Sequence, residues 1–288
     1  MKTINLLKYL SLFLLLASCC NVEEMTPESQ PRKIRFHVRT INYAGQTPMF
    51  AQTRALKSEP EFFFFMDVLD GKVVEKNIVV RDSIDCLEPL EMLFDTGNHE
   101  LYFVAAANKY NSYDAENRTM KWEDEKLNLV WAKKMELDVT RETLDSQSVD
   151  LNLVVARLTL KITDRLPEDL ATITTSGDSL SWNLNLETMA GIPELVTNTL
   201  AIPASYIGQT DKEFSTYTFV PENGKVGSVS FAAYNNADTP QLIKEYTVTD
   251  VPVEMGWRTL YSGWFFGNGG TFSFTYDTDW KGLIEKYF

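Results

Sequence analysis

Residues Val149–Thr163 read VDLNLVVARLTLKIT. Apolar side chains occupy every second position from Val149 to Val155, and the opposite set of positions from Leu158 to Ile162. Successive side chains of a β-strand point to opposite faces of the sheet, so this slip of phase requires a bulge or a passage from one packing environment to another. We therefore expect a boundary between two domains after residue 147, with this long strand opening the second domain.

The same period of two recurs along most of the chain. Ile34–Val38, Trp182–Leu186 and Phe272–Tyr276 each alternate apolar with polar residues, as half-buried strands do. No stretch of comparable length has a helical period. Short strands separated by turns favour β-sandwiches over a parallel sheet. We expect an all-β chain with two tandem sandwiches, at 32–147 and 148–288, of six or seven strands each.

Two dipeptides predict tight turns. Asp70-Gly71 follows the apolar run Phe62–Leu69, Asn223-Gly224 follows the apolar run Tyr217–Val220, and a second apolar run comes after each dipeptide. Both dipeptides tolerate the positive φ that two-residue hairpin turns require. Each of them therefore predicts a β-hairpin.

The N-terminus has the composition of an export signal. Lys2 and Lys8 supply positive charge, the apolar run Leu10–Leu16 follows, and two small residues precede Cys19. This run is too short to cross a bilayer as a helix, which requires about 20 residues. The end of the segment resembles a bacterial lipobox, and this resemblance implies removal of residues 1–18 and a lipid on the sulfur of Cys19. The alternative is an ordinary secretory signal.

Residues 19–31 form the expected lipidated tether, which is rich in Glu, Ser and Pro. Acidic residues soon after the cysteine resemble a signal for display outside the outer membrane. With lipid on Cys19, a disulfide between Cys20 in the tether and Cys86 is not expected, and Cys86 is interpreted as a buried apolar residue. The predicted location is therefore the cell outer membrane, with the lipid-anchored chain exposed at the surface.

The chain is acidic. It has 27 Lys and Arg residues against 40 Asp and Glu residues, a net charge of −13. The sequence shows no basic patch that could neutralise a phosphate backbone, which excludes nucleic acid as a partner. An anionic lipid surface would repel this body, so membrane attachment is expected to depend on the lipid chain.

Several segments, taken in order, resemble a known family. A strand opens at Lys33 soon after the lipobox, QTRA surrounds Arg54, and GNHELYFVAAAN begins at Gly97. VVARLTLKI begins at Val154, and VPV, WRTLYSG and DW follow toward the C-terminus. This series resembles fimbrillin-like surface proteins of the Bacteroides type, including FimB-type fimbrial anchor subunits and cell-adhesion lipoproteins. The resemblance implies two transthyretin-like β-sandwiches, transit to the outer surface, and a role in fimbrial assembly or adhesion.

The same resemblance implies a mode of assembly. A sheet that lacks a strand exposes unpaired backbone groups, which a strand from a neighbouring subunit can restore. In polymerising fimbrillins a protease frees the first strand by cutting after an arginine. Arg54 matches that role, whereas Arg39 is expected within the strand. The alternative is that Arg54 is only a solvated loop residue.

The C-terminal segment favours an anchor or accessory subunit over a stalk subunit. Only Lys281–Phe288 follow Trp280, which would make a short donor strand. If the first strand stays in place, its lipid stays as well. The expected partners are the outer membrane, other fimbrial subunits, and ligands on host or bacterial surfaces.

The sequence offers little material for catalysis. Of the 2 histidines, His37 alternates with arginines on the polar face of a strand, and His99 is expected to stabilise a Gly-Asn turn. The sequence contains no pattern for a His-based triad, a His/Cys metal site, a phosphate loop or an EF-hand. We expect no enzyme, no metal and no cofactor, although 40 acidic residues leave a two-carboxylate glycosidase open.

The main alternative function is that of a surface glycan-binding lipoprotein. The segment Asn108–Asp124 is polar and aromatic, with Tyr110, Tyr113 and Trp122 among Asn and Asp side chains. Aromatic faces beside amides suit sugar rings, and loops often carry binding residues. The competing interpretation is that these aromatics pack the loop onto its own domain. Three other tryptophans have strand-like surroundings and are expected in the core: Trp257, Trp264 and Trp280.

Overall fold

The computed structural model describes residues 30–40, 60–83, 85–123 and 127–267, together with the backbone of 273–277. Within these ranges the regular structure consists of strands and two short 3-10 turns, at Glu75–Asn77 and Ala204–Tyr206. The predicted all-β fold is confirmed. The same ranges contain no helix with the length and apolar character needed to span a membrane.

The described strands fall into two units. The first unit contains β1 (Arg32–Thr40), β2 (Phe62–Leu69), β3 (Lys72–Val73), β4 (Val79–Asp82), β5 (Leu90–Phe94), β6 (Gly97–Ala106), β7 (Ser112–Asp114), β8 (Thr119–Lys121), β9 (Val130–Val139) and β10 (Ser146–Leu153). The second unit contains β11 (Val155–Ile162), β12 (Leu170–Leu180), β13 (Asn183–Asn185), β14 (Glu194–Ala201), β15 (Lys212–Phe219), β16 (Lys225–Asn235), β17 (Leu242–Pro252), β18 (Arg258–Gly263) and β19 (Ser273–Asp277).

Two sheets face each other in the first unit. One has the order β5-β1-β10, with β1 antiparallel to β5 and parallel to β10. The other has the order β3-β2-β6-β9, with β4 also paired to β2, and the last residues of β10 pair with β9. Phe36 of β1 meets Phe65 and Phe103 of the facing sheet, with ring centroids 6.1 and 5.4 Å apart. The first unit is thus a sandwich with an aromatic core.

The second unit repeats this arrangement. Its sheets have the orders β15-β11-β18-β19 and β14-β12-β16-β17, and Phe231 of β16 meets Tyr261 of β18 with centroids 5.5 Å apart. β11 lies between antiparallel β15 and parallel β18, as β1 lies between antiparallel β5 and parallel β10. Seven strands in each unit share the same order. The strands outside this common plan are β3 and the β7–β8 hairpin in the first unit, and β13 and β19 in the second.

The two units meet within the stretch that carries the phase slip. Residues 146–151 pair with β1 and residues 152–153 with β9, whereas pairing with β15 begins at Val155. Val154 lies between the two strands, and the chain changes sandwich there. This passage from the first unit to the second falls later than the boundary expected after residue 147, because β10 still belongs to the first unit.

The two predicted hairpins have different outcomes. Asp70 and Gly71 have φ of 51° and 76°, and they join β2 to β3 in an antiparallel hairpin, as predicted. Gly224 also has a positive φ, of 67°, but the hairpin predicted at Asn223-Gly224 is wrong, because β15 and β16 belong to facing sheets. Turn residues determine the local backbone and leave open which sheet the next strand joins.

β2 is buried on both faces, which explains why seven of its eight residues are apolar, with Asp67 as the exception. Phe65 lies on the inner face, against Phe36 of β1. Phe64 lies on the opposite face and packs against Tyr110 and Tyr113. The insertion between β6 and β9, which includes the β7–β8 hairpin, therefore covers the outer face of this sheet.

The expectations for single core residues are met in part. Cys86 is buried with a free thiol, as expected, and this burial raises its pKa. Trp257 is half-buried, and Trp280 lies outside the described residues. The expectation that Trp264 lies in the core is wrong: its side chain is 56% exposed, because the neighbouring Phe265 takes the inward position after β18.

Candidate functional site

β1 lies in the middle of its sheet. Its backbone pairs with β5 over Arg32–Phe36 and with β10 over Arg35–Thr40. Ile34, Phe36 and Val38 point inward and are buried, as their alternation predicts. Removal of β1 would therefore leave two strand edges unpaired and uncover the aromatic core of the first unit.

The outward face of β1 carries a row of ion pairs. Glu91 of β5 contacts Lys33 and Arg35, and hydrogen bonds from these two cations lower the pKa of its carboxyl. Arg39 contacts Asp150 of β10, and this hydrogen bond lowers the pKa of Asp150. These pairs lie at the surface, where ion pairs contribute little to stability. The attachment of β1 thus depends on its buried side chains and its backbone bonds.

Two residues predicted from the sequence, Cys19 and Arg54, lie outside the described residues. The connection that contains Arg54 leaves β1 at Thr40 and re-enters the described chain at Pro60. Arg39 lies within β1, as expected, and its backbone is in register with Asp150 of β10. A protease that requires unpaired, extended backbone cannot reach the bond after Arg39 while β1 is in place.

The three aromatic residues predicted to bind a ligand lie in one cluster. Tyr113 on β7 has its ring centroid 5.1 Å from that of Phe64 and 5.8 Å from that of Tyr110. The ring of Tyr110 meets Trp122 edge-on at 6.4 Å. Tyr113 is 38% exposed, whereas Trp122 is fully buried. Of the three residues, Tyr113 is the most exposed, and its ring is the one that a ligand can reach.

Trp122 connects the insertion to the second unit. Its ring centroid lies 5.2 Å from that of Phe219, and its Nε1 donates a hydrogen bond to the carbonyl oxygen of Asn108 at 3.1 Å. Tyr110 is half-buried beside it, and burial raises the pKa of its hydroxyl. A substitution at Trp122 would therefore damage packing between the units, so it cannot serve as a test of ligand binding.

A small sheet crosses from one unit to the other. β8 pairs with β7 on one side and with β13 of the second unit on the other. Beside it, Glu187 of the second unit contacts Arg118 and Lys134 of the first, and it accepts a hydrogen bond from the Tyr102 hydroxyl at 2.7 Å. Glu100 contacts the same two cations. We call these five residues the interunit cluster.

Contacts within the interunit cluster stabilise its charged groups. Partial burial opposes ionisation of Glu100, but hydrogen bonds from Lys134 and Tyr102 outweigh it and lower the pKa of this carboxyl. Burial, together with the hydrogen bond to Glu100, raises the pKa of Tyr102 above its ordinary value. Two carboxylates and two cations therefore form a balanced group that joins the two units.

Substitution of Glu187 by alanine should lower the free energy of unfolding by about 1–2 kcal/mol. The change leaves Arg118 and Lys134 with Glu100 as their shared acid, and it removes an acceptor of the Tyr102 hydroxyl. Thermal and urea unfolding measure the loss. Glu168→Ala, at a side chain that is 88% exposed, is the control. Equal effects of the two substitutions would show that the interunit cluster adds no stability.

A buried polar network lies inside the first sandwich. His99 Nδ1 lies 2.7 Å from Asp67 Oδ1, and its Nε2 lies 2.9 Å from the carbonyl oxygen of Asp95. Asn77 Nδ2 donates to the other carboxylate oxygen of Asp67 at 2.7 Å. The expectation that His99 stabilises a Gly-Asn turn is wrong in its location, because Gly97 and Asn98 already belong to β6. His99 instead holds the turn at Asp95, from a buried position in β6. Within the described ranges, no three His, Cys, Asp or Glu side chains are grouped to hold a metal ion.

No protein-family model and no curated protein matches this sequence. A fimbrial assembly protein from Parabacteroides distasonis superposes with a TM-score of 0.53 at 14% identity, over 89% of this chain and 98% of that chain. A candidate polysaccharide-binding protein from Bacteroides thetaiotaomicron superposes with a TM-score of 0.54 at 8% identity, over 88% and 99%. A candidate adhesin from Bacteroides ovatus superposes with a TM-score of 0.51 at 11% identity, over 90% and 95%.

At these identities the likeness establishes a shared fold. It extends over nearly the whole of this chain and nearly the whole of each similar structure. The fold expected from the resemblance to fimbrillin-like proteins is therefore confirmed.

Proposed function

We propose that this chain is a surface lipoprotein that serves as a fimbrial anchor or accessory subunit, or as an adhesin. The observation that carries the proposal is the position of β1, an N-terminal strand that completes the core of the first sandwich and precedes the long connection containing Arg54. The fold that this chain shares with a fimbrial assembly protein supports it. In this proposal a lipid on Cys19 holds the chain in the outer membrane, and the body carries out binding without catalysis.

Assembly would follow from the position of β1. A cut after Arg54 would leave β1 held by non-covalent contacts alone. Its departure would uncover Phe65 and Phe103 and leave β5 and β10 unpaired on one side. A strand from a neighbouring subunit, apolar at alternate positions, would restore the pairing and the core. If the bond after Arg54 stays intact, β1 and its lipid remain, and the chain acts as an anchor.

Limited digestion of the full-length protein with an arginine-specific protease tests this proposal. We expect an early cut that gives a new N-terminus at Ala55, because Arg35 and Arg39 lie within a paired strand. The Arg54→Ala variant should resist this cut, whereas Arg141→Ala, in the turn after β9, should be cut like the unchanged protein. Early cuts elsewhere that leave the bond after Arg54 intact would contradict the role of this connection.

Exchange of β1 can be followed after the cut. A fluorescent peptide with the sequence of residues 30–40 should enter the cut protein and not the intact protein, since intact β1 occupies the site. The same peptide with Phe36→Ala should enter more weakly, because Phe36 fills the space between the two sheets. Equal uptake by cut and intact protein would show that the peptide binds elsewhere.

A second candidate function is glycan binding at the cell surface. The exposure of Tyr113 favours it, since this ring stands among polar side chains of the β7–β8 hairpin. One protein of the same fold is a candidate polysaccharide-binding protein, which agrees with this function. The buried position of Trp122 removes that residue from the candidate ligand contacts.

A further inference from the structure

Tyr113 is held firmly by its neighbours. Its ring packs against Phe64 and Tyr110, which belong to the packed part of the first unit. The adjacent Asp114 fixes the β7–β8 turn: its carboxylate accepts hydrogen bonds from the backbone N–H groups of Glu116 and Asn117 and from the Asn117 amide. These hydrogen bonds lower the pKa of Asp114, and the bond from the Asn117 backbone N–H has the largest effect. A ring fixed in this way loses little freedom when a ligand binds.

Two grooves flank Tyr113. The first, of about 690 Å³, lies between the β7–β8 hairpin and the β2–β3 turn, and Lys72 and Arg118 are among its lining residues. The second, of about 570 Å³, lies between the hairpin and β13, and Lys121 and Asn183 are among its lining residues. Both volumes fall in the range of about 300–1,000 Å³ that is usual for small-molecule sites. Tyr113 borders both grooves.

Each groove is lined by equal numbers of cationic and acidic side chains. The first has two of each, and the second has Lys121 and Asp114. Lys121 forms its ion pair with Glu194 beside the second groove. Arg118 of the first groove contacts Glu100 and Glu187. This balance stands out in a chain with a net charge of −13. It gives no advantage to a strongly charged ligand of either sign. It does provide hydrogen-bond donors and acceptors side by side, and the hydroxyl groups of a neutral sugar use both.

Asn183 is among the residues that line the second groove, and one of its side-chain hydrogen-bonding groups is unused. Its backbone is fixed in β13, in register with Lys121 of β8. Its side-chain oxygen is shielded from solvent and accepts no hydrogen bond from the described residues, which is unfavourable for a polar atom. This oxygen becomes available to a ligand hydroxyl only if the amide turns about its Cβ–Cγ bond. Because β13 belongs to the second unit, the groove forms only where the two units meet.

We propose that Tyr113 and its two grooves bind a neutral oligosaccharide or polysaccharide. One sugar ring lies against the exposed part of the Tyr113 ring, and its hydroxyl groups form hydrogen bonds with groove side chains that include Asn183. Two adjacent grooves accommodate successive sugar units, which favours a chain over a single sugar. The inference rests on the surface location proposed above, and it does not depend on a cut after Arg54.

Affinity gel electrophoresis of the full-length protein tests this site. The gels contain yeast mannan, dextran or arabinoxylan as neutral probes, or polygalacturonate as an anionic probe. We expect at least one neutral polysaccharide to retard the protein, and we expect Tyr113→Ala to weaken that binding about tenfold. Tyr113→Phe keeps the ring and should bind almost as the unchanged protein does. Asn183→Ala supplies an independent variant from the second unit and should also weaken binding.

Trp264→Ala is the matched control, because Trp264 is an exposed aromatic residue outside the hairpin. It should bind the polysaccharide unchanged, and thermal unfolding establishes that each variant is folded. Retardation by polygalacturonate alone, equal binding by Tyr113→Ala and the unchanged protein, or no retardation by any neutral probe would each overturn the proposal. The assay requires no other subunit, and Arg54→Ala should bind normally. Failure here therefore leaves the test of strand exchange unaffected.

Discussion

Replacement of Phe36 by alanine is expected to lower the free energy of unfolding by about 3–5 kcal/mol. Phe36 has no exposed surface, and its ring centroid lies 5.8 Å from that of Phe94 and 5.4 Å from that of Phe103. The substitution therefore removes contacts with side chains of both sheets and leaves a cavity between the sheets. Domains of this kind are stable by only about 5–15 kcal/mol, so the loss is a large share of the total. Urea denaturation followed by tryptophan fluorescence measures it.

The matched control is His37→Ala, one position along the same strand. His37 points to solvent, and substitutions at such positions usually change stability by less than about 0.5 kcal/mol. If the two variants unfold at the same urea concentration, β1 does not contribute to the core. Phe36→Ala should also hasten the loss of β1 from protein that has been cut after Arg54, because the same contacts hold the strand in place.

The sequence predicted those parts of the fold that follow from the alternation of apolar and polar residues along a strand. Alternation in β1 identified Ile34, Phe36 and Val38 as buried, because on a pleated strand the face of each side chain follows from its position. The phase slip in Val149–Thr163 identified the passage between sandwiches, although the change of partner falls at Val154. The choice of partner strand could not be predicted, since β1 pairs with β10, which is far away in the sequence.

The candidate site could also be predicted only in part from the sequence. The composition of Asn108–Asp124 pointed to an aromatic ligand surface, and the structure groups Tyr110, Tyr113 and Trp122. Composition could not distinguish the exposed Tyr113 from the buried Trp122, because that difference depends on Phe219 in the second unit. Asn183 gave no signal in the sequence beyond its place in an alternating strand. Its role depends on the pairing of β13 with β8, which brings two distant segments together.

The position of β1 links stability to the proposed function. The strand completes the core of the first sandwich with its buried side chains, and its outward ion pairs add little to stability. In the proposed assembly, a strand with the same apolar pattern would replace β1 without the formation of a covalent bond. The first-unit residues of the interunit cluster, and the buried Trp122, belong to the other sheet and to the insertion that covers it, so these contacts between the units do not involve β1. Exchange of β1 is therefore compatible with an intact body that continues to present Tyr113.

The His99–Asp67 pair is fully buried inside the first sandwich. The two ring nitrogens of His99 face the Asp67 carboxyl group and the Asp95 carbonyl oxygen. When Asp67 is ionised, both partners are acceptors, and His99 meets both only as an imidazolium ion, with a hydrogen on each nitrogen. Burial acts to lower its pKa, but the hydrogen bonds to Asp67 and Asp95 outweigh burial and raise the pKa above its ordinary value.

Substitution of His99 by leucine is expected to lower the free energy of unfolding by about 3–5 kcal/mol near pH 6, because the Asp67 carboxylate is left buried without its cation. This loss should shrink as the pH rises. The unfolded chain releases the His99 proton near pH 6.5, whereas the folded protein keeps it to a higher pH, so the stabilisation is complete below about pH 6.5. It then falls with rising pH and is lost once the pH passes the raised pKa of the folded state.

Urea unfolding of the unchanged protein and the variant, from pH 6 to pH 9, measures both the loss and its pH dependence. His37→Leu is the control, since it removes an exposed histidine from β1 and should leave the pH dependence unchanged. A constant difference between His99→Leu and the unchanged protein across this range would mean that His99 is neutral in the fold. The lost stability would then come from packing against Phe94, whose ring meets His99 edge-on at 5.1 Å, instead of from the ion pair.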